Sequence, residues 1–272
     1  MKWAGDEMPV GLVVFLRYGV ASAGFLAGNL FSGWPRVGKS DLLLVALVGA
    51  LNFAVAPTMQ IASLRYTQAI DVSILIALEP MLVVVVAALV LGEKPTRRTA
   101  MALGAGTIGM LILSGVGFGE APGDSGRRLT GNLIFASSLL AEVAVSISGR
   151  RLAGYRPSHS IQLMMLAGFL TASICFMGDI QSATFSAFSS RAWGSILFLA
   201  LGSSIFAYTV WYRVIKVVPV NQVALSLFLQ PLLGSVLGYT LLNETIGLQT
   251  VIGAALVCCS LAWWQIRAAN SR

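Results

Sequence analysis

Charged residues are scarce in this chain. Asp, Glu, Lys and Arg make up 11% of its 272 residues and hydrophobic residues 57%, whereas soluble domains carry about 25% charged residues. A chain this apolar has too little polar surface to stay dissolved in water. Its apolar runs of roughly 18–22 residues match the ~20 residues that a helix needs to cross a bilayer. We therefore predict an all-α integral membrane protein, with the lipid bilayer as its surroundings.

Residues that form metal centres and active sites are also few. The chain has one histidine, His159, which we expect at the surface, and its three cysteines all lie within apolar runs. No disulfide framework or metal site is therefore expected. Motifs of serine hydrolases, zinc peptidases and phosphate loops are absent. A membrane enzyme would need a polar catalytic cluster at a helix end, but the chain offers scattered single groups. The prediction is that it is not an enzyme and has no cofactor.

The apolar runs predict nine transmembrane spans. Their approximate bounds are Met8–Leu30, Leu42–Ala62, Ala69–Leu91, Thr99–Gly115, Leu129–Gly149, Ser160–Met177, Trp193–Tyr212, Asn221–Leu242 and Leu248–Ile266. Nine spans place the two termini on opposite sides of the membrane.

Membrane topology explains why the chain has more basic than acidic residues. The net charge is +7, but the basic residues form short clusters between spans, which does not suit a nucleic-acid surface. If the carboxyl terminus is cytoplasmic, the inner segments hold twelve Lys and Arg residues and the outer segments five. Positive loops stay cytoplasmic. We therefore predict a multi-pass protein of the cytoplasmic (inner) membrane with its carboxyl terminus inside.

Two stretches of the chain repeat each other. Pro80 and Pro231 are 151 residues apart, as are Glu93 and Glu244, and Ala46–Glu93 lies over the corresponding segment without a gap. Internal repeats fix an architecture. The connection 63–68 is predicted to face outward and its counterpart 214–219 inward, so the repeats are inverted. The predicted division is a first repeat at 1–115, a loop at 116–130 and a second repeat at 131–272.

The residues of this repeat resemble a known family. Leu78-Glu79-Pro80, an apolar helix, Gly92-Glu93 with Thr96, and then a helix with Gly104, Gly106 and Gly109 are similar to the EamA-type unit of the drug/metabolite transporter superfamily. The second copy has Leu229-Gln230-Pro231 and Asn243-Glu244-Thr245. The resemblance implies two inverted repeats of about five helices each. The first span here resembles the second helix of the family, so the usual first helix is expected to be absent, through truncation, a downstream start or a true nine-helix form.

Polar groups within predicted spans are the candidate substrate-binding or coupling residues, because such groups are costly in a bilayer. Three are ionisable. Arg17 could neutralise Glu79 or bind an anionic substrate group, and an ion pair that only orients the helices is the structural alternative. Glu79 and Glu142 could bind substrate or protons. The other candidates, for which an interhelical hydrogen bond is equally open, are Asn52, Gln60, Gln162, Tyr208, Trp211, Gln222 and Gln230.

Prolines and glycines within the spans are expected to shape the helices. Pro57, Pro80 and Pro231 are predicted bends because proline removes a helical hydrogen bond. The Gly104, Gly106 and Gly109 set predicts close helix packing. The pattern Gly234-x-x-x-Gly238 suits packing within the bundle or a homodimer contact.

Inverted repeats are typical of secondary transporters with a substrate site near the midplane. The predicted function is export of a small metabolite or xenobiotic by alternating access, with a small molecule as partner and no nucleic acid. The alternative, which the expected missing helix favours, is a non-transporting or degenerate membrane paralogue or subunit.

Overall fold

The structure, a computed structural model, describes residues 4, 7–63, 65–67, 69–113, 125–230, 232–233, 236 and 248–269. Every regular element of these residues is helical. In chain order the helices are α1 (Val10–Ser32), α2 (Lys39–Ser63), α3 (Ala69–Leu91), α4 (Arg97–Leu113), α5 (Ser125–Arg151), α6 (Pro157–Cys175), α7 (Met177–Gln181), α8 (Ser190–Val217), α9 (Val220–Val223) and α10 (Leu248–Ala269). A 3-10 turn, Phe185–Ala187, precedes α8, and another, Ala224–Phe228, follows α9.

Half of the helices described have the length and composition of membrane spans. Among the described residues, five segments are long and apolar enough to cross a bilayer, and two apolar helices are shorter. The five are Val10–Gly28, Lys39–Ser63, Leu129–Arg151, Pro157–Cys175 and Ser190–Val217, and the shorter two are Leu75–Leu91 and Val251–Trp264. Large apolar side chains also lie exposed, such as Leu89 at 79% and Ile174 at 76%. A bilayer solvates such side chains at no cost, so the predicted all-α membrane fold is confirmed.

Each of the nine predicted spans overlaps helical residues among those described, but five of these segments have the length and composition of a membrane span, so the count of nine stays a prediction. The eighth, Asn221–Leu242, is described mainly up to residue 230, where it combines α9 with the 3-10 turn. Pro231, Gly234, Gly238 and Glu244 lie outside the described residues.

The chain forms two compact units. The first comprises Met1–Ile61 and Ala144–Val217, and the second comprises Ala62–Val143 and Val218–Arg272. Each unit thus takes segments from both predicted repeats. The repeat boundaries themselves stay a prediction.

In the first unit, α6 packs against α1 and α2. Two glycines allow α2 and α6 to approach closely. A Cβ atom on Gly49 would meet the backbone of Met164, and one on Gly168 would meet Phe53 and the Gly49 carbonyl oxygen. Small residues at such crossings let helix backbones pack together in membranes.

Two helices of the first unit are interrupted by π-helical segments. One is Leu51–Val55 in α2, and the other is Leu199–Phe206 in α8. Pro57 lies two residues after the end of the first segment. Because proline has no N–H to bond the carbonyl four residues earlier and its ring crowds that carbonyl, a wider turn before it relieves the clash. Positions 51–55 correspond to 202–206 at the separation of 151 residues, so the two π segments overlap in the predicted duplication.

In the second unit, α4 packs against α10 and α3. A Cβ atom on Gly109 would lie 3.0 Å from the carbonyl oxygen of Gly253, and one on Gly106 would meet the ring of Phe228. These two glycines therefore serve close packing as predicted, whereas Gly104 faces open space within 4 Å. At the end of α3, Gly92 has a φ of +70°, a conformation that glycine adopts without strain.

The expectation that His159 lies at the surface is wrong. His159 is 8% exposed. Its Nδ1 accepts a hydrogen bond of 3.2 Å from the backbone N–H of Arg36. The side chain is buried because it satisfies the backbone of the α1–α2 connection, a role that sequence position alone does not reveal.

Candidate functional site

Arg17 is the cation of a polar cluster in the first unit. Its Nε donates to Ser204 Oγ over 2.8 Å, and its Nη2 donates to Ser203 Oγ over 3.1 Å. The guanidinium carbon lies 5.0 Å from the centre of the Tyr18 ring. No carboxylate among the described residues of this unit is bonded to Arg17. The described hydrogen-bond acceptors of the guanidinium are therefore neutral hydroxyl groups.

The π segments supply three polar groups of the cluster. Ser203 and Ser204 belong to the segment of α8, and Asn52 belongs to the segment of α2. A π turn is uncommon and often marks a functional site. It widens the helix and leaves carbonyl and side-chain groups out of the regular ladder.

Asn52 lies at the other end of the cluster. It is 4% exposed, and its Nδ2 donates to the Tyr208 hydroxyl over 3.3 Å. Its Oδ1 is buried and has no hydrogen-bond partner among the described residues. Buried polar atoms are rarely left without a partner, so this oxygen is an available acceptor.

A row of aromatic rings connects the two ends. The ring centres of Tyr18 and Phe53 are 5.0 Å apart, and those of Phe53 and Tyr208 are 5.1 Å apart with their planes nearly perpendicular. Edge-to-face packing of this kind is favourable and fixes ring positions. The cluster thus combines a cation, hydroxyl groups, an amide and a rigid apolar wall.

A separate pair of carboxyl groups lies in the second unit. The side chains of Glu79 in α3 and Glu142 in α5 lie within hydrogen-bonding reach of one another. An ionised carboxylate only accepts hydrogen bonds. A bond between two carboxyl groups therefore requires a proton on one of them. Pro80 follows Glu79 and is buried, and it deprives the Ile76 carbonyl of its helical partner.

The other predicted residues are dispersed. Trp211 Nε1 donates to Ser146 Oγ over 3.2 Å, which joins α8 to the end of α5. Gln162 is buried in α6, Gln60 and Gln222 are half-buried, and Gln230 is exposed. The roles assigned to these residues, and the bends assigned to Pro57 and Pro80, stay predictions.

Sequence reasoning missed four members of the cluster: Tyr18, Phe53, Ser203 and Ser204. The repeat contains a signal for two of them. Ser203 and Ser204 follow Asn52 and Phe53 by 151 residues, so they occupy equivalent positions of the duplicated segment. Nothing in the local sequence distinguishes Tyr18 and Phe53 from ordinary core residues.

The part of the chain that the structure describes holds no group of three or more His, Cys, Asp or Glu residues placed to bind a metal ion.

Comparison with known proteins identifies similar sequences over nearly the whole chain. The model of the EamA-like transporter family matches residues 1–115 and 129–264. The uncharacterized transporter YetK of Bacillus subtilis is 24% identical over 265 residues, which are 93% of this chain and 79% of that protein. An uncharacterized transporter of Archaeoglobus fulgidus is 23% identical over 252 residues, which cover 90% of this chain and 84% of that protein.

Solved structures of similar fold exist, and one of them is a crystal structure of a protein. It superposes with a TM-score of 0.80 and covers 98% of this chain and 91% of that chain, at 20% sequence identity. This likeness concerns the fold alone.

Proposed function

Because the chain belongs to the EamA-like transporter family, we propose that this membrane transporter is a secondary carrier that exports a small metabolite or xenobiotic. The proposed cellular location is the cytoplasmic membrane. The excess of basic residues in the predicted inner loops supports a carboxyl terminus on the cytoplasmic side. The predicted inverted repeats support alternating access, since such repeats can rock about a site near the midplane.

The observation that carries the proposal is the environment of Arg17. A charged group within a membrane is costly, yet Arg17 is bonded to two neutral hydroxyl groups. The guanidinium has five N–H donors, and its described hydrogen bonds use two. The remaining donors form a planar edge that suits a carboxylate. The transported molecule on this proposal carries an anionic group, which binds at Arg17.

The carboxyl pair supports coupling to protons. Glu79 and Glu142 are close enough to share a proton, and loss of such a proton would leave two adjacent negative charges in an apolar setting. Like charges at close range repel strongly where the dielectric constant is low. A pair that binds and releases a proton could therefore separate or join α3 and α5 during transport. Gln230, the repeat equivalent of Glu79, cannot titrate.

Flux into proteoliposomes tests the proposal. The purified chain is reconstituted and supplied with labelled organic acids, amino acids and amines, with and without an imposed proton gradient. Saturable uptake of organic anions, increased by the gradient, is the expected result. Uptake confined to amines would contradict the role of Arg17. If no compound moves, the non-transporting paralogue or subunit becomes the better account.

A further inference from the structure

The buried amide of Asn52 indicates a second contact for the transported molecule. Asn52 Oδ1 has no described partner although the residue is 4% exposed. The Nδ2 atom of the same planar amide donates to Tyr208, which fixes the amide against the aromatic row. A buried acceptor that is held in place but unused costs free energy. A ligand that donates a hydrogen bond to Oδ1 would remove that cost.

The positions of Arg17 and Asn52 set the distance between the two proposed substrate contacts. Arg17 is bonded to Ser204, and Asn52 is bonded to Tyr208. Ser204 and Tyr208 are four residues apart on α8, whose residues up to Phe206 are π-helical, so they are separated by about one turn and by no more than the ~6 Å that four α-helical residues rise. The two contacts therefore lie roughly one helical turn apart, and the rings of Tyr18, Phe53 and Tyr208 connect them.

We propose that the substrate is a small organic carboxylate whose amino or hydroxyl group lies several bonds from the carboxylate. The carboxylate binds Arg17, the distant N–H or O–H donates to Asn52 Oδ1, and the intervening carbon chain packs on the aromatic row. This inference rests on the proposed transport function and names the substrate class of the same site. A donor on the carbon next to the carboxylate is too close to it to reach both contacts.

Positional isomers test the spacing. Binding to the purified chain is measured by thermal stabilisation, which rises with ligand occupancy, and transport by counterflow in proteoliposomes. The probes are 4-aminobutyrate and 4-hydroxybutyrate, their 2-substituted isomers, and butyrate itself. The 4-substituted compounds are expected to bind at least tenfold more tightly than the 2-substituted isomers and butyrate.

The Asn52→Leu variant tests the assigned acceptor. It should lose the preference for 4-substituted compounds, so that these bind no more tightly than butyrate. The matched control, Gln181→Leu, removes an exposed amide at the end of α7 and should keep the preference. If Asn52→Leu does not fold, Asn52→Asp serves instead, and it should favour 4-aminobutyrate over 4-hydroxybutyrate because it pairs a carboxylate with an ammonium group.

Three results separate the possible failures. Equal binding of the 2- and 4-isomers, or an intact preference in Asn52→Leu, overturns the spacing. If neither series binds but another compound is transported, the substrate class is wrong and the transport function stands. If no compound binds and none moves, the proposed function fails as well.

Discussion

Asn52 in α2 and Ser203 in α8 are separated by 151 residues and lie in the two π-helical segments of the same unit. Asn52 donates to Tyr208, and Ser203 accepts from Arg17. The duplicated positions therefore supply the two ends of one polar cluster. Both copies of the repeat thus have a polar residue within a π-helical segment at the same position.

The hydroxyl groups that hold Arg17 should matter for substrate affinity. We predict that Ser204→Ala raises the KM for an anionic substrate about tenfold, since a hydrogen bond to a charged group contributes about 1.5–3 kcal/mol, while kcat changes little. Initial rates of uptake measure both constants. Ser137→Ala is the control, because the hydrogen bond that Ser137 makes among the described residues is to its own helix backbone at Leu133. Equal effects of the two substitutions would contradict the prediction.

The close crossing of α2 and α6 should not tolerate a larger residue. Gly49→Ala places a methyl group against the Met164 backbone, and overpacking of this kind costs typically about 1–3 kcal/mol. A lower unfolding temperature in detergent is expected. Gly104→Ala, at a position with open space, should keep or raise the unfolding temperature because alanine favours helix over glycine. A stable Gly49→Ala protein would show that the helices can separate freely.

The carboxyl pair should govern the response to a proton gradient. We expect Glu79→Gln to abolish gradient-driven accumulation and to retain exchange of substrate across the membrane, because glutamine keeps the size of the side chain and cannot bind a proton. Glu93→Gln is the control, since Glu93 accepts a hydrogen bond from the Asn221 backbone through an oxygen that glutamine also has. Gradient-driven accumulation by Glu79→Gln at the normal rate would end the proposal of coupling.

The contact of Glu7 with Ser189 should give a pH-dependent stability. The Ser189 hydroxyl and backbone N–H both donate to the Glu7 carboxylate, and these bonds hold the pKa of Glu7 below its ordinary value. A lowered pKa means that the native state favours the ionised form. The Glu7 carboxylate therefore stabilises the native state above the pKa that Glu7 has in the unfolded chain. This stabilisation is lost as the pH falls through the lower pKa of Glu7 in the native state.

The Glu7→Gln variant measures this effect. Its unfolding temperature should be lower than that of the wild type at neutral pH, and the difference should shrink as the pH falls below about 4.3, the ordinary pKa of glutamate. A difference that does not change with pH would show that the effect is not one of ionisation.

The sequence was sufficient to predict the class of fold and to single out Arg17, which the structure places half-buried in α1. Long apolar runs have few alternatives to a transmembrane helix, and Arg17 is conspicuous in such a run. The prediction of Asn52 and Tyr208 followed from the same reasoning, since polar groups in spans need partners. These arguments use only the cost of placing polar groups in lipid.

Other features depend on tertiary geometry that the sequence does not encode locally. A serine in an apolar span is common because its hydroxyl can bond its own helix, as Ser137 and Ser173 do. Ser203 and Ser204 differ in that the fold brings the Arg17 guanidinium within hydrogen-bonding distance of their hydroxyl groups. The burial of His159 depends in the same way on the loop residue Arg36. Partners in these cases are more than 100 residues away.

Substrate affinity of Arg17 variants tests the central claim most directly. Binding of labelled organic anions to the purified wild type, Arg17→Lys and Arg17→Gln is compared, with Arg191→Gln as the control at an exposed arginine. We predict that Arg17→Gln lowers affinity for anions by at least tenfold, that Arg17→Lys lowers it less, and that Arg191→Gln leaves it unchanged. If a well-folded Arg17→Gln protein binds the same anions as tightly as the wild type, Arg17 is not the anion site and the account is wrong.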